Sequence, residues 1–270
     1  MTSRHELTVQ QVSLAYDSHT VVRDLDLQVP PGAVSVIVGA NGCGKSTLLR
    51  GMARLLKPVS GQVLLDGEAV HAQPARQVAQ VLGILPQSPA APESITVADL
   101  VARGRYPHQH WFRQWSTADE AAVASALART DTLHLADREV DSLSGGQRQR
   151  VWIAMALAQD TGVLLLDEPT TFLDVSHQLD VLDLLLALNA ERGTTIVMVL
   201  HDLNLAARYA DHLVVMRHGQ VLATGTPAEV VTPDVVREAF ALTAQVIDDP
   251  VTGTPMVVPV SRSHRNTEEI

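Results

Sequence analysis

The sequence predicts an α/β fold: a parallel sheet, preceded by antiparallel strands and interrupted by a purely helical stretch. Three observations carry this. Residues 34–38, 163–167 and 194–200 are short runs of almost unbroken apolar character, the mark of strands buried on both faces. Segments of helical period lie between them, and such alternation implies parallel strands joined by crossover helices. From about residue 94 to 158 the pattern is helical throughout.

The elements follow in order. Leu25, Leu27 and Val29 alternate with Asp26 and Gln28, the period of a half-solvated strand, and residues 17–19 read as a turn. Antiparallel strands therefore occupy residues 7–30. The run at 34–38 enters a glycine loop and then a helix over about 45–56. Residues 62–65 read as a strand and 75–81 as a helix. Ser116 and Asp119 have capping-box spacing and open a helix that runs through Thr130. Leu179, Leu182 and Leu186 share a helix face, and 203–209 is a short helix. Residues 213–216 and 220–223 flank His218 and Gly219 as a hairpin. Thr226 and Glu229 form a second capping box, with Pro227 at the first helical position. Residues 262–270 are polar and expected to fray.

Composition narrows the function classes. The chain has 270 residues, 46% of them apolar, so it reads as globular. A net charge of −10 argues against nucleic acid as a partner. The single cysteine, Cys43, permits no disulfide within the chain and fits a reducing compartment. The N-terminus lacks the apolar core of a signal peptide, and no apolar run approaches the roughly 20 residues that span a bilayer. A soluble, cytoplasmic chain is expected, reaching a membrane through a partner. Lys45 and Lys57 are the only lysines beside eighteen arginines. Lys45 ends the glycine loop, where a compact ammonium enters a tight phosphate cradle better than a planar guanidinium.

Gly39, Gly44, Lys45 and Ser46 match the phosphate-loop pattern G-x-x-x-x-G-K-[ST] between a buried strand and a helix. Backbone amides of such a loop close around phosphate oxygens, and the helix start adds positive potential. Asn41, Gly42, Cys43 and Thr47 complete the loop. Ser46 is the expected Mg²⁺ ligand. The strand at 163–167 ends in Asp167, followed by Glu168. Beside a phosphate loop, Asp167 would hold the Mg²⁺ shell and Glu168 would polarise the attacking water as general base. Ser144 and Gln147 also have capping-box spacing, with Gly145 and Gly146 in the first turn. Taken alone this reads more readily as a plain helix cap, but its free amides could also receive a γ-phosphate.

The order of these three motifs, with Leu143 before Ser144 and Pro169-Thr170 after Glu168, closely resembles the ABC transporter ATPases over roughly residues 7–225. The resemblance implies a P-loop NTPase (RecA-like) core with an antiparallel β subdomain and an inserted helical subdomain. It places one ABC ATPase domain over 1–270. Residues 1–93 and 159–240 would form the nucleotide-binding core with its β subdomain, 94–158 the helical signature subdomain, and 241–270 a C-terminal extension. It implies ATP and Mg²⁺ as cofactors. It also implies a head-to-tail dimer with a second copy, in which residues 143–147 of one copy close the ATP site of the other.

Further roles rest on the resemblance alone. Gln87 matches the glutamine that touches Mg²⁺ and water and senses the transmembrane partner. His201 matches the histidine that contacts the γ-phosphate and holds Glu168. Asp174 matches the loop crossing between the two sites, though the family commonly has Ser-Ala-Leu-Asp where this chain has Thr171, Phe172, Leu173 and Asp174. Tyr16 matches the ring that stacks on adenine, and equally suits a packed strand residue. Cys43 is either a tolerated small residue or a redox-sensitive one.

Residues 95–108, above all Gly104, Arg105, Tyr106, Pro107 and His108, look like the ATPases of bacterial ferric-siderophore importers and their cobalamin and haem relatives. Ser176, His177 and Gln178 agree with this. The likeness implies transmembrane permease subunits as partners, an extracytoplasmic binding protein indirectly, and a peripheral place on the cytoplasmic face of the membrane. Tyr106, Trp111, Phe112 and Trp115 are four of the nine aromatics, set among Arg103, Arg105, Arg113, His108 and His110. This segment either docks a permease or anchors the helical subdomain. His108 and His110, with no nearby Cys or carboxylate, make a poor metal set. A soluble ABC ATPase acting on DNA, ribosomes or iron–sulfur assembly would favour coiled coils, zinc cysteines, tandem ATPase domains or basic arms, which the sequence lacks. A kinase or GTPase reading leaves residues 143–147 unexplained.

Overall fold

The structure, a computed structural model, describes residues 5–109 and 115–260. The expected antiparallel start is present as β1 (Leu7–Tyr16) and β2 (His19–Val29), paired Leu7 to Val29 and Val9 to Leu27. β3 (Val34–Gly39) is buried along its whole length and runs through the glycine loop into α1 (Lys45–Met52). That helix stops four residues short of the expected end. Arg54 turns to φ 64, and the amides of Leu55 and Leu56 both fold back on the Arg50 carbonyl. β4 (Ser60–Leu65) and β5 (Glu68–Ala69) complete a four-stranded sheet of order β2-β1-β4-β5.

α2 (Ala75–Val81) leads straight into β6 (Leu82–Leu85), a strand the sequence reading does not anticipate. Four residues abutting a helix offer too short a pattern to show a period. The helical stretch contains α3 (Val97–Ala102), α4 (Thr117–Arg129) and α5 (Gly145–Ala158). The capping box of Ser116 and Asp119 forms as expected. Beyond it come β7 (Val163–Asp167), α6 (Val175–Arg192), β8 (Thr195–Val199), α7 (Leu203–Tyr209), β9 (His212–Arg217) and β10 (Gln220–Gly225). On α6 the buried stripe is Val181, Leu182, Leu185 and Leu188, so Leu179 and Leu186 flank the packed face without forming it. The β9–β10 turn at His218 and Gly219 has positive φ at both positions, as a tight hairpin requires. α8 (Pro227–Val230), α9 (Pro233–Phe240), β11 (Ala244–Asp248) and β12 (Pro255–Pro259) close the described chain.

The second sheet has the order β10-β9-β3-β8-β7-β6, parallel except for β10. Its two faces feed two cores. Val34, Val36, Leu164, Leu166, Ile196 and Met198 pack with the helices α3 to α7. Ile37, Val163, Leu165, Val197 and Val199 pack with α1 and the antiparallel sheet. Alternate residues of one strand thus serve opposite cores, which explains the unbroken apolar runs. β3, β7 and β8 run parallel, so Gly39, Asp167 and the residues after Val199 emerge on one edge.

The segment around residue 105 resolves into two roles. Arg105 is buried; its Nε donates to Asp119 Oδ1 at 2.8 Å and its Nη1 to the Ala158 carbonyl at 2.8 Å. His108 Nε2 meets the Gln159 carbonyl at 2.7 Å. These two residues anchor the helical part. Tyr106 and Trp115 stay 59% and 47% exposed, so the anchoring does not use them. His110, Trp111, Phe112 and Arg113 lie outside the described residues, as does the polar tail at 262–270.

Candidate active site

The glycine loop turns back on itself because its glycines take conformations closed to other residues. Gly39 has φ 151, and a Cβ there would lie 2.3 Å from the Met216 carbonyl oxygen of β9; Gly44 has φ 108. The loop encloses the Lys45 ammonium, which donates to the carbonyls of Gly39 at 2.8 Å and Ala40 at 3.2 Å. The cleft above holds about 430 Å³ and is lined by Asn41, Gly42, Gly44, Lys45, Ser46, Thr47, Gln87, Glu168 and His201, with Val21 from β2.

Three strand ends supply the chemistry. Ser46 Oγ donates to Asp167 Oδ1 at 2.8 Å. Burial pushes the Asp167 carboxyl above its ordinary range, the hydrogen bond from Ser46 opposing it and the charge of Glu168 adding to it. Glu168 follows at φ 55, a left-handed position unusual for a residue with a long side chain. Its Oε1 lies 2.6 Å from His201 Nε2, and its Oε2 accepts from Thr171 Oγ1 at 3.2 Å. Hydroxyl, carboxylate and amide oxygens from Ser46, Asp167 and Gln87 form the hard, oxygen-only donor set that suits Mg²⁺. A buried carboxylate pushed toward its neutral form is also a group that a divalent cation stabilises as the anion.

Other expected residues stand apart from the cleft. Cys43 is buried in the core beneath the loop, and burial raises its thiol above the usual range, with the Lys45 charge opposing. Its side chain is not part of the cleft lining. Tyr16 stands at the end of β1, 40% exposed, and its hydroxyl accepts from Arg50 Nη1 at 3.1 Å. Ser144 caps α5, with the Gln147 amide donating to Ser144 Oγ at 3.3 Å and the Ser144 amide to Gln147 Oε1 at 3.2 Å. Asp174 caps α6 and is held near a pKa of about 2, chiefly by the His177 amide, then by the His177 ring and Ser176. Residues 144–147 and 174 do not line the cleft of their own chain. The helix start adjoins the two residues before Asp174: a Cβ on Gly145 would meet Phe172 Cβ at 3.8 Å, and one on Gly146 would meet Leu173 Cδ2 at 3.4 Å.

Three contributors escape the sequence reading. Val21 lines the cleft from the strand opposite Tyr16. Thr171 fixes the second oxygen of Glu168. Gln149, two residues past Gln147, donates from Nε2 to the Pro169 carbonyl at 2.9 Å and ties α5 to the loop behind Glu168. No local pattern marks any of them, although Thr171 stands where the family commonly has serine, another hydroxyl.

The family profile for the ABC transporter matches residues 22–171. The achromobactin transport ATP-binding protein of Dickeya dadantii is 56% identical over 256 residues, 95% of each chain. The ferric enterobactin transport ATP-binding protein of Escherichia coli is 52% identical over 258 residues, covering 96% of this chain and 95% of the relative. Among solved structures, an inward-facing metal-chelate type ABC transporter superposes with a TM-score of 0.82 at 28% identity, covering 97% of this chain and 99% of the other.

Proposed function

Because the chain belongs to the ABC transporter ATP-binding family, and is an ATPase, we infer that it energises a binding-protein-dependent importer of ferric siderophores. The observation that carries the catalytic part is the 2.6 Å contact of His201 with Glu168 beside the Lys45 loop. Relatives named for achromobactin and ferric enterobactin transport support the iron-chelate part.

The loop amides and Lys45 hold the ATP phosphates. Ser46, Asp167 and Gln87 would hold Mg²⁺, which supplies neutralising charge to the β- and γ-phosphate oxygens. Glu168 accepts a proton from the attacking water. His201 keeps the carboxylate aimed and reaches the γ-phosphate. The residues 144–147 that would complete the site lie away from it on their own chain, so a second copy placed head to tail supplies them. Asp174, beside that motif, crosses between the two sites. Tyr16 stacks on the adenine from the rim.

No helix among the described residues is long and apolar enough to cross a bilayer. Attachment at the cytoplasmic face therefore comes through permease subunits. Exposed Tyr106, next in sequence to the buried Arg105 anchor, and exposed Trp115 are the groups available to meet them. Co-reconstitution of the chain with its permease and binding protein in liposomes tests the assignment. Ferric siderophore should stimulate ATP hydrolysis and be taken up. Stimulation by cobalamin or haem in its place would overturn the cargo.

A further inference from the structure

The hairpin β11–β12 lies beyond the segment matched by the family profile. It packs on α7, the short helix that begins two residues after His201. Its attachments are specific. Asn204 Nδ2 donates to the Val257 carbonyl at 3.2 Å, and the Val257 amide donates back to Asn204 Oδ1 at 2.7 Å. The asparagine thus satisfies the backbone of β12 as a neighbouring strand would. One helical turn on, Arg208 Nη2 donates to Asp249 Oδ2 at 2.5 Å. Asp249 is buried, and its other oxygen accepts the amides of Val251 at 2.8 Å and Thr252 at 3.4 Å in the hairpin turn. Val257 and Ala244 enter the same core as Ala206 and Ala207 of α7. On its far side α7 is held to α6, where the Tyr209 hydroxyl donates to Asp183 Oδ1 at 2.9 Å.

A helix of seven residues does not hold its own orientation; its packing partners set it. Asp202 caps it through the amides of Asn204 and Leu205, so the backbone just after His201 is locked to the helix. His201 itself is about half exposed, and Glu168 sits on a different strand end. Any tilt of α7 therefore moves one member of the pair and leaves the other. Reacting groups displaced by about 1 Å lose on the order of a hundredfold in rate.

We propose that residues 244–259 form a strap that positions His201, with Asn204 and Arg208 acting through α7 as positioning residues. The inference rests on the reading of His201 and Glu168 as the hydrolytic pair. The test uses the full chain assembled with its permease. Arg208→Ala and Asn204→Ala should each lower kcat for ATP about tenfold while KM stays within about twofold, because they move the catalytic pair and leave the phosphate loop alone. Arg208→Lys should restore most of the rate. In a His201→Ala background the same substitutions should cost nothing further, since both act through that side chain. Asn204→Ala leaves the Arg208–Asp249 pair in place and keeps the test open if Arg208→Ala fails to fold. An unchanged kcat in Asn204→Ala and Arg208→Ala, or an equal loss with and without His201, overturns the strap while leaving the hydrolytic pair standing. Full hydrolysis by His201→Ala alone would instead remove the pair, and the strap with it.

Discussion

His201 Nε2 and Glu168 Oε1 meet at 2.6 Å, although one follows β8 and the other β7. With Thr171 on its second oxygen, the carboxylate is fixed at both ends. Glu168→Gln keeps the shape and the Thr171 contact but removes the proton acceptor. It should lower turnover by about a hundredfold or more, retain ATP binding, and accumulate an ATP-bound dimer. Single-turnover hydrolysis together with sedimentation checks this, and full retained turnover would refute the assignment.

Asp167 carries a stability cost that its proposed Mg²⁺ role would explain. Burial raises its pKa in the folded chain above the unfolded value of about 4. A carboxyl so raised favours folding while protonated, and that contribution is lost as pH rises through the folded pKa. At neutral pH the ionised group is therefore a burden on the nucleotide-free fold. Asp167→Asn should raise the melting temperature at pH 7.5, by about 2–4 °C per kcal/mol relieved. The difference should close toward pH 4. The same change should abolish Mg²⁺-dependent hydrolysis. Melting curves across that range that show no gain at neutral pH would contradict the account.

Arg105 and Tyr106 are neighbours with opposite expectations. Arg105 and Asp119 form an ion pair in which both side chains are about nine-tenths buried. Removing the guanidinium leaves the buried Asp119 charge with its Ser116 capping contacts alone, at a cost of up to about 3–5 kcal/mol. Arg105→Ala should shift the urea midpoint accordingly, whereas Tyr106→Ala should change stability by less than about 0.5 kcal/mol. Loss of permease copurification in Tyr106→Ala, with the fold intact, would mark the exposed ring as the docking group. Retained copurification would exclude Tyr106 as the docking group.

These contrasts show where sequence patterns speak and where they stop. The doubly buried strands were legible because every residue of β3 and β7 must suit one of two cores, which leaves an unbroken apolar run. The cleft around the loop, Asp167 and Glu168 was legible because a phosphate-binding loop restricts residue type at fixed spacing. β6 was not, since four residues carry no period. Nor was the buried role of Arg105, because a guanidinium drawn inward by one carboxylate reads in sequence like any surface arginine. The strap contacts of Asn204 and Arg208 join residues 41 to 53 positions apart, a pairing that no local pattern encodes.

Phe172 tests the proposed dimer through the chain's own departure from its family. The ring stands 81% exposed, on a backbone held at φ 67, beside the helix start at Gly145. A bulky residue kept in a strained conformation and left open to water disfavours the isolated chain on both counts. In the proposed head-to-tail arrangement this surface would face the second copy, where burial would offset both penalties. Burying one such ring contributes about 1.5–3 kcal/mol, and a two-fold dimer buries two. Phe172→Ala should therefore weaken ATP-dependent dimerisation at least tenfold, measured by sedimentation in the Glu168→Gln background so that ATP persists. Monomer stability should hold or rise. Dimerisation unchanged by the substitution would place the ring outside the interface and require another geometry for residues 143–147.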